Sequence, residues 1–213
     1  MLQAAGVSAT FLALLDQEPL AGLCALDVGT GAGRLALALA PACRRVVGID
    51  RDAAQVAEAR RRAQQAGLAN VEFLVADAER VEYSPFAPDL VVAHLCMSDA
   101  IAERAARALA PGRVFAAVAF HVDQWRETGR PSRFAYDEGR MAALLERLGF
   151  TVEHLEVERR VETFPSREAA LAAVAGLEAR WRNDGRWPAY LRFLEAGGRT
   201  LTRSHLVVKA RRR

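Results

Sequence analysis

Lysine is almost missing from this chain of 213 residues: of its 29 basic side chains, all but Lys209 are arginine. Cysteine is scarce too. Cys24, Cys43 and Cys96 are an odd number at irregular spacing, which forms neither a disulfide framework nor a zinc-ligand pattern and points to a reducing compartment. No apolar run is long enough to cross a bilayer, and Met1 to Leu15 has neither a basic n-region nor a cleavage-like end, so a cytoplasmic location without a membrane partner is expected. Internal repeats and low-complexity linkers are absent, and no metal site is expected. What remains, with 52% hydrophobic residues, suffices for one substantial core, hence one domain with an embellishment.

The most informative stretch is Asp27 to Gly33, Asp-Val-Gly-Thr-Gly-Ala-Gly. It follows the apolar run Leu23 to Leu26 and precedes the Ala-rich segment Arg34 to Ala40. A strand ending in a glycine turn that opens a helix is where a nucleotide-like ligand sits in an α/β sheet. A dinucleotide fingerprint would place its third small residue at position 34, which is Arg34, whereas the glycines here run Gly29, Gly31, Gly33. Asp27 would also add negative charge beside a pyrophosphate. S-adenosylmethionine has no phosphate and carries a cationic ammonium and sulfonium, so an acid at this turn favours it.

Two further acids follow in register. Arg44 to Asp50 is a second strand pattern ending in an acid, within the distance of about 20 residues that places a carboxylate on ribose hydroxyls. An ionised carboxylate is a pure acceptor and can take both hydroxyls of a diol. Val71 to Ala78 is a third pattern, and its Asp77 can accept from the exocyclic amine of adenine. Each feature has a plainer alternative: turn glycines with positive φ, and helix N-caps at Asp50 or Asp77.

This succession, continuous from about Leu23 to Phe120, resembles the class I S-adenosylmethionine-dependent methyltransferases (methyltransferase type 11-like). The resemblance implies that Asp27, Gly29, Thr30, Gly31 and Gly33 hold the methionine portion of the cofactor. It implies that Asp50, with Arg51, binds the ribose, that Asp77 and Ala78 receive the adenine, and that His94 lines the same pocket.

The periodicity predicts a helix over about Ala4 to Gln17, then alternating strands and helices: strand 23–28, helix 32–40, strand 45–49, helix 52–66, strands 71–76 and 89–95, helix 99–109, strand 113–120. Such alternation requires an α/β fold, doubly wound, with a mostly parallel sheet and helices on both faces. A loop over Val122 to Arg133, a helix over Tyr136 to Leu148, a long strand over Phe150 to Val161, helices over Ser166 to Asn183 and Pro188 to Ala196, and a strand over about 200–209 complete the chain. With the family's antiparallel last strand the sheet has seven strands. The expected division is an N-terminal cap helix (1–20), a core (21–161), a helical cap insertion (162–198), and a last strand with a basic tail (199–213).

Acceptor choice should lie in the cap and in the loops after the fourth and fifth strands, because ligands lie at the carboxyl ends of parallel strands. Family members that methylate an amide or base amine carry Asn-Pro-Pro-Tyr after the fourth strand; here the residues are His94-Leu95-Cys96-Met97. The expected acceptor is therefore a small molecule methylated at oxygen, carbon or carboxylate. His94 and His121 are the candidate catalytic bases. Thr163 to Ser166 and Gly198 to Ala210 resemble the end of malonyl-carrier-protein O-methyltransferases, for whose carboxylate substrates Arg133, Arg140, Arg167 and Arg203 are candidate clamps. Two alternatives stand beside this reading. The Arg-rich stretch from Arg180 to Arg213, interleaved with Trp181, Trp187, Tyr190 and Phe193, suits a nucleic-acid (RNA) methyltransferase. The lack of an identifiable base suits a non-catalytic S-adenosylmethionine-binding regulator. Oligomeric state is left open.

Overall fold

The computed structural model describes residues 1–213. Contacts group them into two compact units. The first takes in Met1–Ala119, Glu138–Glu156 and Leu206–Arg213, and the second Phe120–Asp137 and Val157–His205.

The first unit is built on β1 (Cys24–Val28), β2 (Arg45–Asp50), β3 (Val71–Val75), β4 (Leu90–His94) and most of β5 (Val114–His121), which run parallel. Every residue of β1 is buried, as is all of β4 but its last. Successive side chains point to opposite faces, so a strand buried throughout is covered on both. That is why these segments read as unbroken apolar runs in the sequence.

The strand order is β3-β2-β1-β4-β5-β8-β7, where β7 is Phe150–Thr163 and β8 is Thr200–Arg212. Gly149 O accepts from Arg213 N at one end of the last pair, and Arg199 O accepts from Phe164 N at the other, so β7 and β8 are antiparallel. The expected seven-stranded, mostly parallel sheet is thus observed. One element is additional: β6, the two residues Ala135–Tyr136, pairs with Phe120 and His121 of β5 just beyond the expected loop over Val122 to Arg133, and it takes Tyr136 from the start of the expected helix, which begins at Glu138. The order reverses between β1 and β4, which opens a crevice at their carboxyl ends.

Helices α1 (Ala9–Asp16), α2 (Arg34–Leu39), α3 (Ala53–Gln65), α4 (Asp99–Ala108) and α5 (Glu138–Arg147) belong to the first unit. Helix α1 is shorter than its apolar pattern predicts. Gly6 has φ of 73°, and the Ser8 hydroxyl caps the helix by accepting from Phe11 N at 3.0 Å. The core of this unit gathers Phe11, Leu15, Leu39, Val46, Val56 and Phe73.

In the second unit, the single helix expected over 166–183 is two: α6 (Arg167–Ala173) and α7 (Glu178–Asp184), separated by a tight turn over Ala175–Leu177. Gly176, a poor helix former, sits in the break. Helix α8 (Arg186–Glu195) starts two residues earlier than expected, with Pro188 in its first turn, where no intrahelical N–H is lost. Trp125, Trp181, Trp187, Tyr190, Leu194 and Leu201 form a separate core. Its rings meet edge to face: Trp125 to Trp181 at 5.3 Å and Trp181 to Tyr190 at 5.4 Å between centroids.

The C-terminal arginines do not form a free basic tail. Strand β8 continues to Arg212. Arg211 binds Glu18 at 2.8 Å and also Glu153, Arg212 donates to Gly149 O at 2.8 Å, and Arg213 donates to Glu146 O at 2.7 Å. Lys209, 4% exposed, completes a part-buried cluster with Glu18 at 2.5 Å and Glu153 at 3.6 Å. The two cations hold the Glu18 carboxyl below its ordinary range despite its burial.

Candidate active site

At the end of β1, Asp27 is 1% exposed and its Oδ2 accepts from Thr30 Oγ1 at 2.6 Å and Ala36 N at 3.1 Å. Burial pushes its pKa up to about 6, against an ordinary 3.8, and the two hydrogen bonds only partly oppose this. The glycine loop is tied across to β2: Gly29 N and Thr30 N both donate to Ile49 O at 2.9 Å. Gly29, Gly31 and Gly33 have φ of 69°, 53° and 80°, so each needs glycine for its backbone. Gly29 and Gly33 also need it for space. A Cβ on Gly29 would overlap Cys96, and one on Gly33 would meet the Phe73 ring at 2.9 Å.

Asp50 is not a helix cap. Its Oδ2 accepts from Gly31 N at 2.8 Å and its Oδ1 from Asp52 N at 2.9 Å, while Asp52 caps α3 by accepting from Ala54 N at 2.8 Å. Asp50 therefore braces the glycine loop, and each of its oxygens retains acceptor capacity. Beyond β3, Asp77 Oδ1 accepts from Glu79 N at 2.9 Å, and Ala78 O accepts from Tyr83 Oη at 2.8 Å, which fixes that turn.

A cleft of about 270 Å³ opens over the loop. Of the residues singled out from the sequence, it brings together Asp27, Gly29, Thr30, Gly31 and His94; Gly33, Asp50, Arg51, Asp77 and Ala78 are not on its walls. It adds Val7, Arg34, Gln55, Arg62 and Leu95, which no motif flagged. The only sequence signal for Arg34 was its departure from the dinucleotide fingerprint. His94 packs on Phe11, with ring centroids 6.2 Å apart. Burial raises the Cys96 thiol to about 11, which keeps it protonated.

His121 belongs to the second unit and is 4% exposed. Its Nδ1 accepts from Asp123 N at 3.2 Å and lies 3.0 Å from Ser204 Oγ. An acceptor at Nδ1 puts the proton of the neutral ring on Nε2. Three of the four arginines considered as clamps are paired: Arg140 with Asp99 at 3.2 Å, Arg167 with Glu195 at 3.5 Å and Arg203 with Glu162 at 2.9 Å. Arg133 lies 4.5 Å over the Phe134 ring. Trp181, Trp187 and Tyr190 are buried, whereas stacking on bases needs exposed rings. No group of three or more His, Cys, Asp or Glu could hold a metal ion.

The donor set suits a zwitterionic, phosphate-free ligand. A buried acid and two arginines share one cleft, and of the three loop glycines Gly31 alone has open space where a Cβ would stand. Residues 25–112 match the family model described as "Methyltransferase domain". A 66-residue segment is 47% identical to the 23S rRNA (uracil(1939)-C(5))-methyltransferase RlmD of Xanthomonas campestris. That segment is 31% of this chain and 14% of the relative, so the match spans about a seventh of that protein. Among solved structures, the YcgJ protein of Bacillus subtilis superposes with a TM-score of 0.76 at 17% identity, over 97% of this chain and 99% of that one. The magnesium protoporphyrin IX methyltransferase of Synechocystis, solved with bound S-adenosylhomocysteine, superposes at 0.63 with 18% identity, over 96% and 80% of the chains. With the family match, the strand order and the glycine loop in agreement, residues 25–112 carry a methyltransferase domain, and the sheet has the fold of the class I S-adenosylmethionine-dependent methyltransferases.

Proposed function

We propose that the chain transfers a methyl group to a small-molecule acceptor, at an oxygen or a carboxylate. The observation that carries the cofactor half is the buried, hydrogen-bonded Asp27 in a cleft lined by the glycine loop that follows it. Bound S-adenosylmethionine supplies an electrophilic methyl on a sulfonium. Asp27 meets the ammonium of its methionine portion, and Arg34 is the cation available to its carboxylate. Asp50 accepts from the ribose hydroxyls while bracing Gly31, and Asp77 with Ala78 receives the adenine.

The acceptor half is supported by three features. Asn-Pro-Pro-Tyr is absent after β4. The basic nitrogen of His121 already accepts a backbone N–H, which suits an acceptor that needs no deprotonation, such as a carboxylate. Of the aromatic residues that would serve RNA, Trp181, Trp187 and Tyr190 are buried, and the terminal arginines are engaged within the fold.

Calorimetric titration with adenosylhomocysteine tests the cofactor site. Wild type should bind, and Asp50→Ala and Asp77→Ala should each weaken binding by about 1–3 kcal/mol, as expected for the loss of a charge-assisted hydrogen bond. Adenosylhomocysteine release should then be followed with carboxylic acids, phenols and short RNAs. Turnover with a carboxylic acid or phenol supports the proposal. Turnover with RNA alone replaces it with the RNA reading, and binding without turnover on any acceptor replaces it with a regulator.

A further inference from the structure

Strand β4 ends in a backbone conformation that few side chains tolerate. Leu95 has φ of 57°, in the left-handed region, where the Cβ of an L-residue crowds the following carbonyl oxygen. The turn is held in place: Leu95 N donates to Val118 O at 2.7 Å, directly beyond the β4–β5 ladder that ends with His94 opposite Val118. Immediately after it, Cys96 lies so close above Gly29 that a Cβ on that glycine would overlap both its Sγ and its Cβ. Gly29 is itself left-handed, with φ of 69°. Two left-handed turns, one after β1 and one after β4, therefore meet at the point where the strand order reverses. One is bare, and the other delivers the side chain that fills the space. Leu95 and His94 line the cleft on this side, and the Leu95 side chain is part-buried against the first unit's core.

We infer that Leu95 is a positioning residue whose left-handed backbone, rather than its side-chain bulk, seats Cys96 in the notch over Gly29 and so sets the β4 wall of the cofactor cleft. The inference rests on the reading of that cleft as the cofactor site. Strained non-glycine residues persist where surrounding structure over-determines them, and they cluster at ligand sites. The alternative is that Leu95 is retained for packing and that the strain is incidental.

The two roles predict opposite rank orders. Glycine and asparagine adopt this φ readily, whereas β-branched valine and isoleucine resist it. If the turn matters, Leu95→Gly and Leu95→Asn stay close to wild type and Leu95→Val and Leu95→Ile fail. If packing matters, Val and Ile are the mild changes and Gly the severe one. Two measurements on the intact chain decide. The first is the alkylation rate of Cys96 by a maleimide, assigned by peptide mass spectrometry, since Cys24 and Cys43 are buried and Cys96 is partly exposed. The second is the Kd for adenosylhomocysteine by calorimetry.

The Val and Ile variants should show alkylation about tenfold faster and Kd about tenfold weaker, the factor that left-handed strain imposes on the population of the competent turn. The Gly and Asn variants should stay within about threefold of wild type, well inside that strain-sized factor. Val and Ile behaving as wild type while Gly fails, or all four behaving alike, overturns the inference. Should the Val and Ile variants not fold, the Gly variant still decides, because the packing role requires it to lose affinity. Wild type failing to bind adenosylhomocysteine would remove the cofactor reading, and the thiol rates would still report whether the Leu95 turn seats Cys96.

Discussion

Replacing Asp27 by asparagine separates the stability of the apoprotein from its capacity to bind. Asp27 is fully buried, with a pKa near 6 in the fold against 3.8 for an unperturbed carboxyl. The folded state therefore takes up the proton first as pH falls, so this group's contribution to stability is most favourable below pH 3.8 and is lost as pH rises through 6. A difference of about two pKa units corresponds to about 3 kcal/mol at about 1.4 kcal/mol per unit. Asparagine keeps an oxygen that can accept from Thr30 and Ala36 but cannot ionise. Whatever its fixed offset, the stability of Asp27→Asn relative to wild type should rise by about 2.4 kcal/mol between pH 4 and pH 7.5, the rest of the difference being reached only below that range. For a chain of this length that is about 5–10 °C in Tm. Thermal melts of both proteins across that range, without ligand, provide the measurement. Parallel Tm-against-pH curves would refute the argument, because they would mean that Asp27 is not held protonated by burial.

Three further outcomes are expected. Calorimetric binding of adenosylhomocysteine near pH 5.5, repeated in buffers of different ionisation enthalpy, should show proton release from wild type and much less from Asp27→Asn, because the ligand's ammonium draws the carboxyl back to its ionised form. Lys209→Met leaves the buried Glu18 side chain with Arg211 alone and should cost about 1–3 kcal/mol in denaturant unfolding, a loss that Glu18→Gln in the same chain should partly restore. Gly33→Ala meets both a φ of 80° and the Phe73 ring, so a loss of at least about 1–2 kcal/mol is expected from chemical melts.

Some of this site was legible in the sequence because local chemistry fixes it. An acid at the end of an apolar run and glycines at every second position are what a buried strand and a sharp turn require, so Asp27 to Gly33 could be placed from spacing alone. The helix caps were less legible. Spacing allowed Asp50 as a helix cap, and only the fold shows Asp52 capping α3 while Asp50 reaches back to Gly31. Arg34, Gln55 and Arg62 reach the cleft from helices, and nothing local announces that long-range placement. Charge counting misled for a related reason: Arg211, Arg212 and Arg213 look like a basic tail until their partners, Glu18, Gly149 and Glu146, arrive from distant segments. The aromatic residues of 181–193 fit a stacking platform or a core equally well by composition, and burial decides for the core.

All three tryptophans of the chain, Trp125, Trp181 and Trp187, lie in the second unit, each less than 8% exposed. Intrinsic fluorescence is therefore a private reporter of that unit, starting from a blue-shifted, water-shielded emission, and the glycine-loop cleft of the first unit is dark to it. Circular dichroism, by contrast, sees the helices of both. Unfolding curves from the two signals will superimpose only if the units melt as one cooperative system, and any gap between them measures how far the second can come apart while the glycine-loop cleft stays folded.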